Sequence, residues 1–217
     1  TVDWKAVLTK VKGKKPDAVF YGGMDATGGP LLKQARELGI NAVFAFGDGA
    51  CTDKPGMAEL AGAAAEGLIC SQAGIPVAAT GKAFLDSYKA AYKVDPILYS
   101  PFTYDAAKLL IAAMTKAGSA DPAKYLPVLA ASDFNGASGN IQFDAKGDRK
   151  DAEMTIFTLK DGKITPVSII KSGKSMTLDE YVAMGAKPAA PAAAPAAAPA
   201  AAPAAAPAAA PAPAAKP

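Results

Sequence analysis

Histidine is missing from all 217 residues. Its absence removes the commonest general base, the commonest metal ligand and every Ser-His or Cys-His pair at once. Most hydrolase chemistries are excluded on that ground. Cysteine is scarce too: Cys51 and Cys70 are the only two, and without a histidine or a third cysteine they give a metal little to bind. No apolar run reaches the ~20 residues that span a bilayer, because charge, Gly or Pro interrupts every long hydrophobic stretch. Basic residues are scattered, with Lys14-Lys15 the densest cluster, and no aromatic-interleaved basic stripe is present, so nucleic-acid binding lacks its electrostatic footprint. Neither G-x-G-x-x-G nor G-x-x-x-x-G-K-[ST] occurs, so Gly22-Gly23 and Gly28-Gly29 are read as tight turns rather than phosphate cradles. No nucleophile, base and orienting group can be assembled, and the sequence is read as that of a non-enzyme with no catalytic residue, no cofactor and no metal.

What is present belongs to an ordinary soluble globular protein: 51% hydrophobic residues, 20% charged, and 23 basic against 20 acidic side chains for a net charge of +3. The start, Thr1-Val2-Asp3-Trp4, is neither an initiator Met nor an export signal, and is expected to be an internal cut. From Pro188 to Pro217 the chain is Ala and Pro with a single Lys. A Pro at every fourth place blocks a continuous helix and supplies no core side chains, so this stretch is expected to be an extended or disordered spacer. The globular part lies in the first 185 or so positions.

Asp3 is placed to cap a helix carrying Trp4, Val7, Leu8 and Val11, followed by a buried strand at Ala18 to Tyr21. Gly28-Gly29-Pro30 opens a second helix through Leu31, Leu32, Ala35 and Leu38, and Gly39 closes it before a strand at Ala42 to Phe46. A short helix at Ala58 to Ala65 and a strand at Gly67 to Cys70 complete a third cycle. Three helix-to-strand cycles with short connections argue for a parallel sheet flanked by helices. Helices are then expected over Gly81 to Tyr92, Pro101 to Lys116 and Asp121 to Ala131. Strands return at Ile141 to Phe143, Ala152 to Leu159 and Lys163 to Ile170, the last two joined by the hairpin signal Asp161-Gly162.

Five stretches carry a resemblance: Lys15-Pro16-Asp17-Ala18-Val19-Phe20-Tyr21-Gly22-Gly23, Gln34-Ala35-Arg36-Glu37-Leu38-Gly39, Gly47-Asp48-Gly49, Leu60-Ala61-Gly62 and Thr103-Tyr104-Asp105-Ala106-Ala107. In their order and spacing the chain resembles the periplasmic branched-chain amino-acid-binding proteins of ATP-driven importers, over most of Asp3 to about Val167. The resemblance implies the α/β type I periplasmic-binding fold, in which two lobes of parallel sheet between helices are crossed three times by the chain. On that map residues 1–72 are the later part of the C-terminal lobe, residues 73–136 return to the N-terminal lobe, residues 137–186 cross back with a β-ribbon, and residues 187–217 are the Ala/Pro tail. The first part of the N-terminal lobe, which in the family holds the ligand carboxylate, and the start of the second lobe have no counterpart. The implied partners are a small amino-acid ligand and the membrane permease subunits of an ABC transporter, with a monomer as the complete state. The implied location is the periplasm, with a signal peptide in the precursor. A ligand-sensing module of the same fold, for an amino acid, an amide or an aromatic acid, is the alternative.

Residue by residue, the resemblance gives Asp48 the role of accepting the ligand's ammonium. Ligands of open parallel sheets do bind outside the carboxyl ends of the strands, although Asp before Gly is also a common local turn. Tyr99, counted back from Thr103-Tyr104, corresponds to an aromatic pressed against the ligand side chain; its other reading is packing ahead of the helix. Met24 stands where some members carry an aromatic ring, and offers either adaptable apolar contact or loop packing. Asp25 is a further acceptor or a solvated loop charge. In an exported protein Cys51 and Cys70 are expected to form a disulfide closing a 20-residue loop, worth ~3 kcal/mol by chain entropy; two buried thiols or a metal pair are the other readings.

Overall fold

The computed structural model describes residues 2–52 and 55–184. The expected spacer at Pro188 to Pro217 lies outside the described residues. The elements run α1 (Lys5–Gly13), β1 (Ala18–Tyr21), α2 (Asp25–Glu37), β2 (Val43–Phe46), α3 (Met57–Leu60), β3 (Ile69–Ala73), α4 (Lys82–Tyr92), α5 (Ser100–Ala117), α6 (Pro122–Ala130), β4 (Asp133–Gly136), β5 (Gly139–Gln142), β6 (Glu153–Lys160), β7 (Lys163–Lys171), β8 (Lys174–Met176) and α7 (Leu178–Ala183). Short 3₁₀ turns at Asp48–Ala50, Gly62–Ala65 and Val77–Ala79 punctuate the loops.

Six strands form one sheet in the order β1-β2-β3-β6-β7-β8, and β4 with β5 forms a separate two-stranded sheet. The first three strands are parallel. β6 then joins β3 antiparallel, and β7 and β8 continue antiparallel. The parallel part follows from the three helix-to-strand cycles, since each crossover helix returns the chain to the same end of the sheet. The ribbon follows from the two-residue turn at Asp161-Gly162, both of which have positive φ, 52° and 72°. That is the geometry a primed hairpin turn demands.

One face of the sheet is closed. Phe44, Phe46, Cys70, Phe157 and Leu159 point into a core with Leu8 of α1, Leu31, Leu32 and Ala35 of α2, and Met57 of α3. Fully burying each of the larger apolar side chains contributes about 1.5–3 kcal/mol. The opposite face is open: Phe20 is 72% exposed, and Val43, Ile69 and Met154 on the same side are exposed as well.

Gly28 and Gly29, expected to turn the chain into the second helix, lie inside α2, which begins three residues earlier at Asp25. Their use is close approach. A Cβ on Gly29 would run into the Leu60 side chain, and one on Gly28 would crowd Met57 and Phe46. Pro30 is accommodated in the second turn of the helix because its fixed φ is helical and it forfeits a single backbone bond.

Between β3 and β4 the chain is helical, α5 packing along α6. Asp105 ties α5 to the turn between β4 and β5. Its carboxylate is fully buried and accepts from the amides of Ala137 and Ser138 at 2.8 and 2.7 Å and from the Ser138 hydroxyl at 2.6 Å. A buried charge held by three donors is the arrangement that makes such burial tolerable. Near the end of the described residues Thr177 and Glu180 cap α7 reciprocally, and Tyr181 packs with Ile75 and Ile169.

Candidate functional site

The carboxyl ends of β1, β2 and β3 face the same way, and the residues singled out in the sequence gather there. β2 ends at Phe46, and the chain turns at once through Asp48–Ala50. Asp48 is exposed. Tyr99, 51 positions later, precedes α5 and arrives from the other side; its hydroxyl donates to Asp48 Oδ2 at 2.6 Å. The approach is guided by Phe102, whose ring lies over Gly74 just beyond β3, a glycine at φ 85° where a side chain would meet the ring. Half of Tyr99 remains exposed, so its ring offers a face to anything entering beside Asp48. The phenol is pushed up to about 12, first by its hydrogen bond to Asp48, then by burial and by the carboxylate's charge.

Met24 closes the β1 end of the group. It is 64% exposed, yet its sulfur lies against Gly49, where any Cβ would collide with it. Asp25 is neither in a loop nor fully solvated: it is the half-buried first residue of α2. Its Oδ2 accepts from the Thr52 hydroxyl at 2.9 Å and its Oδ1 from the Ala26 amide at 2.7 Å. A carboxylate at a helix start is favoured by the helix dipole as well.

The far side of the turn is covalently fixed. Cys51 and Cys70 form a disulfide, Cα to Cα 5.4 Å, tying the turn to β3. Both residues are buried. Buried Gln72, two residues further along β3, donates to the Cys51 carbonyl at 3.0 Å. Sequence reasoning did not find Thr52 or Gln72, since neither stands in a motif and each acts on a residue 27 or 21 positions away. Replacing both cysteines by serine is expected to lower stability by ~3 kcal/mol, the chain-entropy value for such a loop. Urea unfolding of oxidised and double-serine proteins measures it, and coincident midpoints would contradict it.

Among the described residues no group of three or more His, Cys, Asp or Glu side chains is placed to hold a metal ion. No helix among them is long and apolar enough to cross a membrane. The arrangement is a carboxylate and an aromatic ring side by side at the strand ends, with no activated nucleophile near them.

Residues 1–163 match the family model described as periplasmic binding protein. The chain belongs to that family. Its relatives include a leucine-, isoleucine-, valine-, threonine- and alanine-binding protein of Pseudomonas aeruginosa, 31% identical over 159 residues that make up 71% of this chain and 41% of the relative. A leucine-specific-binding protein of Salmonella typhimurium is 30% identical over 156 residues, 71% of this chain and 42% of that one. Among solved structures, a leucine binding protein from Thermotoga maritima superposes with a TM-score of 0.69 at 32% identity, covering 78% of this chain and 49% of that chain. A branched-chain amino acid transporter substrate binding protein from Streptococcus pneumoniae, in complex with isoleucine, gives 0.63 at 28% identity, covering 78% and 49%. The fold is therefore the type I periplasmic-binding fold, and this family member spans about two fifths of the length of the curated relatives it matches.

Proposed function

We propose that this chain supplies the ammonium-holding side of a two-lobed periplasmic receptor that captures a branched-chain or other small amino acid and passes it to the permease subunits of an ATP-driven importer. The observation that carries this reading is the meeting of Asp48 and Tyr99 at the carboxyl ends of the parallel strands, 2.6 Å apart across 51 residues of chain. Asp48 accepts the ammonium. The contact is charge-assisted, and closure of the lobes strengthens it by excluding water. Tyr99 lies beside it as an apolar wall for the side chain, and Met24 adds adaptable contact from the β1 side. No bond is made or broken; hinge closure does the work.

The lobe assignment goes with it: residues 1–72 and 137–186 in one lobe, 73–136 in the other. Two features support it. The helical stretch between β3 and β4 carries no strand, and the sheet face bearing Phe20, Val43, Ile69 and Met154 stands open. Relatives of more than twice the matched length have the material to cover both.

Calorimetric titration of the complete receptor with L-leucine, L-isoleucine, L-valine, L-threonine, L-alanine and benzoate tests the substrate class. At least one amino acid is expected to bind and benzoate is not. Binding of benzoate alone, or of none of the amino acids, would overturn the reading.

A further inference from the structure

The turn that presents Asp48 is too short to hold itself. Its internal support is two backbone bonds, Ala50 N to Gly47 O at 3.3 Å and Cys51 N to Asp48 O at 3.0 Å. Everything else that fixes it comes from its neighbours. Toward β3 it is held twice, by the disulfide and by the Gln72 bond to the Cys51 carbonyl. Toward β1 the polar tie is the Thr52 hydroxyl, which donates to Asp25 Oδ2 at 2.9 Å and accepts from the Met57 amide at 2.9 Å. Both Thr52 and Asp25 are half-buried, so water competes poorly for that contact.

From this geometry we infer that Asp25 and Thr52 are positioning residues for the amino-acid site: a strut between the start of α2 and the end of the Asp48 turn that keeps the Asp48 carboxylate in register with Tyr99. The inference rests on the proposed function for its consequence in binding, but not for its geometry. Asp25 then acts through Asp48 and does not touch ligand. Both of its oxygens are engaged by the protein, one by Thr52 and one by the Ala26 amide. A strut on each side of a presenting turn is what keeps a binding group within the narrow tolerance a polar site requires. Met24 adds to it, since its sulfur lies on Gly49 and limits how far the turn can tip toward β1.

The test uses the complete receptor carrying Thr52→Val, Thr52→Ser or Asp25→Ala, with two readouts. The first is calorimetric titration with L-leucine. The second needs no ligand: pH titration of Tyr99 by NMR of ring-labelled tyrosine, assigned with Tyr99→Phe. Thr52→Val is expected to weaken L-leucine binding about tenfold, the scale of losing an outer partner of a binding group, and to move the Tyr99 titration down toward the ordinary tyrosine value. Thr52→Ser restores both. Thr52→Val also strips the acceptor from the Met57 amide, so Asp25→Ala breaks the same contact from the other end and is expected to repeat both changes. Wild-type behaviour in Asp25→Ala, or equal impairment in Val and Ser variants, would overturn the strut. If the unaltered receptor binds no amino acid the proposed function fails, while the Tyr99 titration still decides the inference.

Discussion

If Asp48 holds the ligand's ammonium as proposed, Asp48→Asn is expected to lower the complete receptor's affinity for an amino acid by about 2–5 kcal/mol, which is roughly 30-fold to several thousandfold. Asparagine has the size of aspartate and keeps an oxygen for the Tyr99 hydroxyl, so the turn and its disulfide are left in place. What goes is the negative charge facing the ammonium. The enclosed ligand then holds a cation with no counter-charge, and that uncompensated charge accounts for most of the loss. Stability changes little, because the Asp48–Tyr99 contact is half open to water, where such contacts are worth at most ~1 kcal/mol. The pH dependence has a definite sign. Tyr99 is raised from 10.0 to about 12 in the folded protein. The small stabilisation from its contact is therefore complete below pH 10 and lost as pH rises through about 12. In Asp48→Asn that alkaline limb shrinks.

The largest effect on stability is expected at Glu153, the first residue of β6. Its carboxylate is buried at the start of β6 and accepts from Lys171 Nζ at 2.7 Å and from the Tyr181 hydroxyl at 2.9 Å, with Arg149 Nη2 3.8 Å away. Burial by itself would push the Glu153 carboxyl up, and the hydrogen bonds from Lys171 and Tyr181 more than offset it, so its pKa lies below the ordinary 4.5. Glu153→Ala leaves the Lys171 and Arg149 charges without their partner and removes the Tyr181 hydroxyl bond to β6, while Tyr181 keeps its packing on Ile75 and Ile169. Breaking a buried pair costs about 3–5 kcal/mol, and the low end is expected here because Lys171 and Arg149 still reach water. For a protein of this size even the lower figure is a fall of roughly 6–12 °C in Tm. Thermal unfolding at neutral pH measures it. A depressed carboxylate pKa contributes stability above the unfolded value and loses it as pH falls through the folded one. The acid limb of the wild-type stability curve below pH 4.5 should therefore flatten in Glu153→Gln. A Glu153→Ala protein melting with the wild type would remove the pair from the account.

Local sequence determined some elements and not others, and the difference is physical. Ala18 to Tyr21 and Ala42 to Phe46 are short apolar runs bounded by Gly and polar residues, and both form parallel strands close to the expected limits, but β1 stands at the sheet edge with no buried residue rather than as the buried strand expected. Asp161-Gly162 closes its hairpin because both residues adopt positive φ readily. β4, by contrast, is Asp133-Phe134-Asn135-Gly136, which reads as a turn and becomes a strand only through its partner β5. Asn140 Nδ2 donates to the side chains of both Asp133 and Asn135 across that pair. Gly28-Gly29 looked like a turn because the reason for those glycines, contact with Leu60, Met57 and Phe46, is tertiary. α7 was passed over although Thr177 and Glu180 carry a capping-box signature that the sequence displays.

At the site, Asp48 and Tyr99 were legible through their family context, and the structure brings them together. Asp25 was legible as a residue but not in its place, since a reader of the loop has no means of seeing Thr52 beside it. The pairing of Cys51 with Cys70 followed from an exported context and is present. Gln72 lay in a strand as one more polar residue until its bond to Cys51 gave it a use.

The most direct test of the central claim compares L-leucine with 4-methylpentanoate, the same side chain and carboxylate without the amine, on the wild-type receptor and on Asp48→Asn by calorimetry. If Asp48 holds the ammonium, the wild type prefers L-leucine strongly and Asp48→Asn loses most of that preference while its binding of 4-methylpentanoate does not weaken. An unchanged preference in Asp48→Asn, with both compounds weakened alike, would contradict the claim.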